Sequence, residues 1–189
     1  MRFYIITIAL LIQSVAFSQK KCEYDVNIND SLGNYKETKT NLVYEKVFGN
    51  SKELVFFTLA VDNGTPILKL QIIQKDKDFI NPKCIDEKSR IFLQLNSGKI
   101  YTLIANENKC DNLIYNSVDK ENNRILDANF LFVKNDFEDL KNSPIMLMKI
   151  RFANEEKEYF LQKELVSEKV ASKTKPSLFF IDYFHCIEQ

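Results

Sequence analysis

Several residue types are rare or absent in this 189-residue chain, and each absence argues against particular kinds of functional site. Tryptophan is absent, histidine occurs only once, at His185, and there are only four glycines. With so few glycines the chain has little material for a phosphate-binding loop. The G-x-S-x-G and H-E-x-x-H motifs of hydrolases are also missing after residue 18. We therefore expect no catalytic residues and no cofactor.

The sequence also has no excess of positive or negative charge. The chain has 26 Lys and Arg and 26 Asp and Glu, and removal of residues 1–18, which hold only Arg2, leaves 25 basic against 26 acidic side chains. Nucleic-acid binders and polybasic membrane-surface proteins usually show clustered positive charge, so both classes are disfavoured. With 45% hydrophobic residues and no linker-like segment, residues 19–189 are expected to form a single globular domain.

Residues 1–18 have the pattern of a secretory signal peptide. Arg2 precedes the apolar run from Phe3 to Ile12, and Ala16-Phe17-Ser18 places small residues at positions −3 and −1 before residue 19. The run is too short to cross a membrane, which takes about 20 apolar residues. We expect export and cleavage before Gln19, with no transmembrane segment afterwards.

All four cysteines, Cys22, Cys84, Cys110 and Cys186, follow the predicted signal peptide. In an exported protein an even number favours disulfides, and four cysteines allow three connectivities. Zinc is the competing explanation, but no two cysteines are closely spaced, and His185 and Cys186 would point about 100° apart on a helix. We therefore expect disulfides and no metal site.

Alternating apolar residues on both sides of Asn63-Gly64 predict a β-hairpin. With these two residues as the turn, paired positions sum to 127, which places Phe57 opposite Leu70 and Leu59 opposite Leu68. One face of the hairpin is then apolar. The other face is mixed, and we expect it to be only half covered.

A second hairpin is predicted around Asn96-Ser97-Gly98. Paired positions sum to 194 for a three-residue loop and to 195 for a two-residue loop. Continued beyond the hairpin, the register of the three-residue loop, in which paired positions sum to 194, places Cys84 opposite Cys110. This favours the pairing Cys84 with Cys110, which leaves Cys22 to bond Cys186.

Further strands are expected at residues 42–47, 125–133, 145–152 and 157–162. A short helix capped by Asn135 and a C-terminal helix from Pro176 should follow, the latter with an apolar stripe formed by Phe180, Tyr183, Phe184 and Ile187. That helix should dock on the sheet face that carries Phe57. The expected fold class is α+β, mainly antiparallel β-hairpins in a meander with a docked amphipathic helix; a β-sandwich or small barrel is the alternative.

Two acidic segments are candidates for other chemistry. Asp119, Glu121, Asn123 and Asp127 alternate as in calcium loops, but Arg124 stands where the glycine of the sharp bend would be. Asp136, Glu138 and Asp139 could supply a carboxylate pair for hydrolysis, although a solvated helix start is the simpler interpretation.

The Asn-, Lys- and Ile-rich composition and the Ala16-Phe17-Ser18-Gln19 junction resemble small exported proteins of the Bacteroidota. This resemblance implies the periplasm, the cell surface or the medium as the destination, and no activity. We expect a non-enzymatic binding or interaction module whose partner is a protein or a small apolar ligand. An envelope-associated structural protein and a hydrolase that uses a carboxylate pair are the alternatives.

Overall fold

The structure is a computed structural model that describes residues 20–31, 33–134 and 136–188. The predicted signal peptide, residues 1–18, lies outside the described residues, and so does Gln189. The described residues contain fifteen β-strands: β1 Tyr24–Asp30, β2 Gly33–Thr38, β3 Asn41–Phe48, β4 Ser51–Asp62, β5 Thr65–Asp76, β6 Cys84–Ile85, β7 Arg90–Leu95, β8 Ile100–Ala105, β9 Lys109–Cys110, β10 Asn112–Asn116, β11 Glu121–Phe132, β12 Ile145–Arg151, β13 Glu156–Phe160, β14 Leu165–Val166 and β15 Lys173–Thr174.

The hairpin of β4 and β5 has the register expected from its turn. Phe57 faces Leu70 and Leu59 faces Leu68, with all these side chains buried. The turn residues Asn63 and Gly64 have φ values of 47° and 84°. Asparagine and glycine tolerate this left-handed region, so the two-residue turn sets the pairing of both twelve-residue strands.

The hairpin of β7 and β8 takes the three-residue alternative. Ile91 faces Leu103 and Leu93 faces Tyr101, and the loop is closed by Gly98, whose φ is 85°. The same register reappears beyond the hairpin, where β6 pairs with β9 and Cys84 lies opposite Cys110.

Eleven strands of the described residues form one antiparallel sheet in the order β1-β2-β4-β5-β11-β8-β7-β12-β13, with β3 added to β4 and β10 to β11. The α+β class predicted from the sequence is thus confirmed. A simple meander does not describe it, because β11 inserts between the two hairpins and pairs with β5 over ten residues and with β8 over three. Strand β11 also begins four residues earlier than expected, at Glu121.

The sheet curls until β13 approaches β3 and β4. The rings of Tyr44 and Tyr159 lie 5.0 Å apart in an edge-to-face contact. The hydroxyl of Tyr159 donates to Glu53 Oε1 at 3.2 Å, and Lys157 forms an ion pair with the same carboxylate. Within the described part of the chain, side chains rather than a backbone ladder therefore join these strands.

The C-terminal segment lies against this core, but it is less regular than predicted. A 3-10 turn at Pro176–Leu178 leads into helix α2, Phe179–Tyr183, and a second 3-10 turn follows at Phe184–Cys186. The helical path breaks at Tyr183, where φ is −127°. Phe179 and Phe180 are buried against Phe57, with ring centroids 5.3 and 6.3 Å away. The docking is thus as expected, and ring packing sets the backbone path.

The short helix α1 is Glu138–Asn142 in the structure. The predicted cap, Asn135, lies outside the described residues. Asp136 Oδ1 accepts a hydrogen bond from the backbone N–H of Glu138 at 3.2 Å, which satisfies one of the free N–H groups at this end.

Candidate functional site

The outer face of β4, β5 and β11 is formed by the residues that alternate with the core positions. Pairing aligns them in rows across the three strands. One row is entirely apolar, because Leu54 faces Ile73 and Ile73 faces Ile125. The neighbouring row contains Lys52 opposite Lys75. An apolar strip therefore lies directly beside a pair of positive charges on the solvent side of the sheet.

A groove of about 500 Å³ runs over this part of the outer face. Leu54, Phe56 and Ile73 form its floor. Leu54 is 4% exposed and packs with Leu42 and Leu165 in a small cluster separate from the main core, while Phe56 and Ile73 are half-buried. Leu54 is thus largely covered by its neighbours, whereas Phe56 and Ile73 remain accessible to solvent.

One wall of the groove is the loop between β14 and β15, which contributes Lys169 and Val170. Glu45 holds this loop against β3, since its carboxylate accepts from the Ser167 hydroxyl and from the backbone N–H of Glu168 at 2.9 Å. The opposite wall is the turn between β10 and β11, represented by Asp119. Segments far apart in sequence therefore enclose the apolar floor.

The charge around the groove is mainly positive. Glu121 binds Lys52 with an Nζ–Oε1 distance of 2.7 Å, and this hydrogen bond lowers the pKa of the Glu121 carboxyl. Lys75, Lys77 and Lys169 also line the groove, and none of the three forms an ion pair within the described part of the chain. Like charges placed opposite each other on adjacent strands are unfavourable. With four lysines and two acids in its lining, the groove therefore offers a net positive charge beside an apolar floor.

A second depression, of about 240 Å³, lies farther along the same face. Its charges are already matched: Lys69 binds Glu37 at 2.7 Å, and the Gln71 amide donates to Asp127 Oδ1 at 2.7 Å. Its lining is mostly polar. A ligand there would have to displace existing pairs, whereas the groove also has three lysines without an ion pair among the described residues, so the groove is the better candidate.

The acidic candidates of the calcium pattern do not come together. Glu121 and Asp127 lie on one extended strand, and six residues at about 3.3 Å each separate them by about 20 Å. Each has its own partner, Lys52 and Gln71 respectively. This geometry does not fit a shared calcium ion.

The acids of helix α1 have separate partners too. Glu138 pairs with Lys141 at 2.7 Å, and Asp139 pairs with Lys99. Asp136 binds the backbone at the start of the helix. These contacts are those of a solvated helix start.

Both disulfides favoured by the sequence are present. Cys22 is bonded to Cys186 and Cys84 to Cys110, with Cα–Cα distances of 5.5 and 3.9 Å. Two disulfides fit an oxidising compartment outside the cytosol. The described residues contain no helix that is long and apolar enough to span a membrane.

The expected divergence of His185 and Cys186 is wrong. It assumed a regular helix, whereas the backbone leaves the α-helical path at Tyr183 and the imidazole lies over the disulfide. Nε2 of His185 lies 3.3 Å from Cys22 Sγ and 3.5 Å from Cys186 Sγ. Among the residues described, these three form the one group of at least three His, Cys, Asp or Glu side chains that could converge on a metal ion.

Comparisons with protein-family models, with curated proteins and with solved structures found no match for this chain.

The disulfide-bonded cysteines are predictable from the sequence, whereas the groove as a whole is not. The two facing lysines of the groove could nonetheless be predicted, because the register in which paired positions sum to 127 also places Lys52 opposite Lys75. Extending that register beyond the apolar core pairs would have revealed two lysines facing each other. The walls could not be found in this way, since they come from segments that are distant in sequence.

Proposed function

We propose that this protein is an exported, non-enzymatic binding module whose groove holds a small amphipathic anion, an apolar chain that carries a carboxylate or a similar head group. The main observation that supports this proposal is the apolar row Leu54–Ile73–Ile125, which lies beside the facing lysines Lys52 and Lys75. The chain of such a ligand would cover the floor, and its head group would bind Lys75, which forms no ion pair among the described residues. The groove volume of about 500 Å³ lies within the usual range of ligand sites.

The expected affinity is modest. Burying about six methylenes at ~0.8 kcal/mol each contributes roughly 5 kcal/mol, and a charge-assisted hydrogen bond to a lysine adds about 1–2 kcal/mol. Association costs at least about 4 kcal/mol, which leaves about 2–3 kcal/mol, so a Kd on the order of 10 mM is expected for a ten-carbon carboxylate. Lengthening the chain by two methylenes should tighten binding about tenfold while the floor remains uncovered.

Isothermal titration with decanoate tests this proposal. Octanoate reports the contribution of chain length, and decyltrimethylammonium, which has the same chain with a positive head, reports the contribution of charge. We expect decanoate to bind, octanoate to bind about tenfold more weakly, and the cation to bind far more weakly. Equal affinity for the anion and the cation would refute the charge argument.

Two variants locate the site. Lys75→Gln removes one facing charge and should weaken decanoate binding about fivefold, whereas Lys88→Gln, in an exposed turn outside the groove, should leave it unchanged. Val170→Ser removes part of the apolar wall, and Val133→Ser, at an exposed position away from the groove, is its control. If Lys75→Gln and Val170→Ser bind like the parent protein, the groove is not the site. Absence of all binding would favour a structural role without a discrete ligand.

Export is part of the same proposal. It is supported by the signal-peptide pattern of residues 1–18 and by the two disulfides. Amino-terminal sequencing of protein isolated from the periplasm, cell surface or medium should begin at Gln19. A cytosolic protein that begins at Met1 would refute export.

A further inference from the structure

The contacts of His185 fix which of its nitrogens carries the proton. Nε2 lies 3.1 Å from the carbonyl oxygen of Lys20, and a carbonyl can only accept. In the neutral ring Nε2 therefore carries the hydrogen. Nδ1 is buried and has no partner among the described residues. An N–H donor is thus held at the side of the ring that faces both sulfurs of the Cys22–Cys186 disulfide.

The two sulfurs differ in access. Cys22 is partly exposed, while Cys186 is 3% exposed. An external thiolate can therefore approach Cys22, and Cys186 is the sulfur that would leave. A thiolate released in a buried position is costly unless it accepts a hydrogen bond. Nε2–H of His185, 3.5 Å from Cys186 Sγ, can donate that bond once its hydrogen turns from the Lys20 carbonyl to the thiolate.

The geometry points to Cys22–Cys186 as an exchangeable disulfide that reacts with an external dithiol and is assisted by His185 as a positioning and hydrogen-bonding residue. One thiolate of the dithiol attacks Cys22 Sγ, the Cys22–Cys186 bond breaks, and Cys186 leaves as a thiolate bound to Nε2–H. The second thiolate of the dithiol then attacks the mixed disulfide and releases Cys22. Overall, the protein disulfide gains two electrons and two protons, and the dithiol is oxidised to its disulfide.

Exchange at this bond would release a defined part of the molecule. The bond joins the start of the described chain to the C-terminal 3-10 turn, over a sequence separation of 164 residues. Without it, the remaining polar contacts between these ends include Tyr24 hydroxyl to Cys186 carbonyl at 2.9 Å and Nε2 of His185 to Lys20. Reduction would therefore loosen the N-terminal segment and leave the sheet intact.

The second disulfide provides an internal reference. In the described part of the chain no hydrogen bond reaches the sulfur of Cys84 or Cys110, and Cys110 is exposed. Both bonds can be followed in one sample, so the ratio of their reduction rates cancels differences in reagent and conditions. Because the His185 ring also shields Cys22 Sγ, a variant that keeps a ring without a donor separates shielding from hydrogen bonding.

The experiment treats the oxidised protein with excess dithiothreitol, alkylates released thiols at intervals and quantifies each cysteine by peptide mass spectrometry. The parent protein is compared with His185→Phe, which keeps a ring but lacks a donor, and His185→Gln, which keeps an N–H donor. We expect the rate ratio of Cys22–Cys186 to Cys84–Cys110 to fall at least fivefold in His185→Phe and to recover partly in His185→Gln. An equal ratio in all three proteins would overturn the inference.

The reduction rate of Cys84–Cys110 also reports on folding. It should be the same in all three proteins if the sheet is intact. Should His185→Phe change it, the parent protein and His185→Gln are compared with His185→Leu, which removes the donor with a smaller side chain. A ratio in His185→Gln as low as that in His185→Leu would again contradict a role for the N–H group.

Discussion

Removing the two disulfides separately should destabilise the protein by different amounts. In one double variant Cys22 and Cys186 are both replaced by Ala, and in the other Cys84 and Cys110. In the chain-entropy model, the loss grows with the logarithm of the closed loop. The sequence separations of 164 and 26 residues give about 5 and about 3.5 kcal/mol, respectively.

Urea unfolding of the parent protein and the two double variants measures this difference. The variant without Cys22–Cys186 should lose about 1.5 kcal/mol more stability than the other, because its unfolded chain gains more freedom. It should also show the larger increase in the denaturant slope m, since its unfolded state exposes more surface. Equal losses, or a larger loss on removal of Cys84–Cys110, would refute the reasoning from loop length.

Three further predictions concern the sheet. Gly64→Ala should cost about 1 kcal/mol in urea unfolding from the left-handed φ of 84° alone, because a Cβ there meets nothing within 4 Å; a neutral change would show that the turn relaxes. Glu53→Ala should cost about 3 kcal/mol, since this buried carboxylate joins β4 to Lys157 and Tyr159 on β13; a cost below 1 kcal/mol in the same assay would mean that the curled sheet does not need this contact. Burial and the charge of Glu53 raise the pKa of Tyr159, so above pH 10 the folded state retains a proton that the unfolded chain loses, and stability falls as pH rises by up to about 1.4 kcal/mol per unit. Tyr159→Phe should make this alkaline slope shallower, and an unchanged slope between pH 10 and 11 would contradict the assignment.

Local pairing could be predicted from the sequence because it depends on a turn and a period of two. Asn63-Gly64 determines the β4–β5 register, and the three-residue alternative around Gly98 places Cys84 opposite Cys110. Each of these conclusions needs only residues that are near one another in the chain. The disulfide between Cys22 and Cys186 then followed by elimination.

Long-range pairing could not be predicted in this way. Strand β11 lies between the two hairpins because its apolar alternation fits both β5 and β8, and no local signal states which edges it joins. The irregular C-terminal segment has a similar origin, since packing of Phe179 and Phe180 and the bond at Cys186 override helical periodicity. The groove depends on both local and long-range pairing, so only its facing lysines could be predicted from the sequence.

The position at which an amphipathic anion binds can be located directly. Intermolecular nuclear Overhauser effects between decanoate and a methyl-labelled sample measure this without any substitution. We predict contacts from the decanoate chain to the methyl groups of Ile73 and Val170, which lie on the floor and wall of the groove. Contacts confined to methyl groups elsewhere, such as Val133 or Leu113, would contradict the proposed site, and so would the absence of any contact at saturating decanoate.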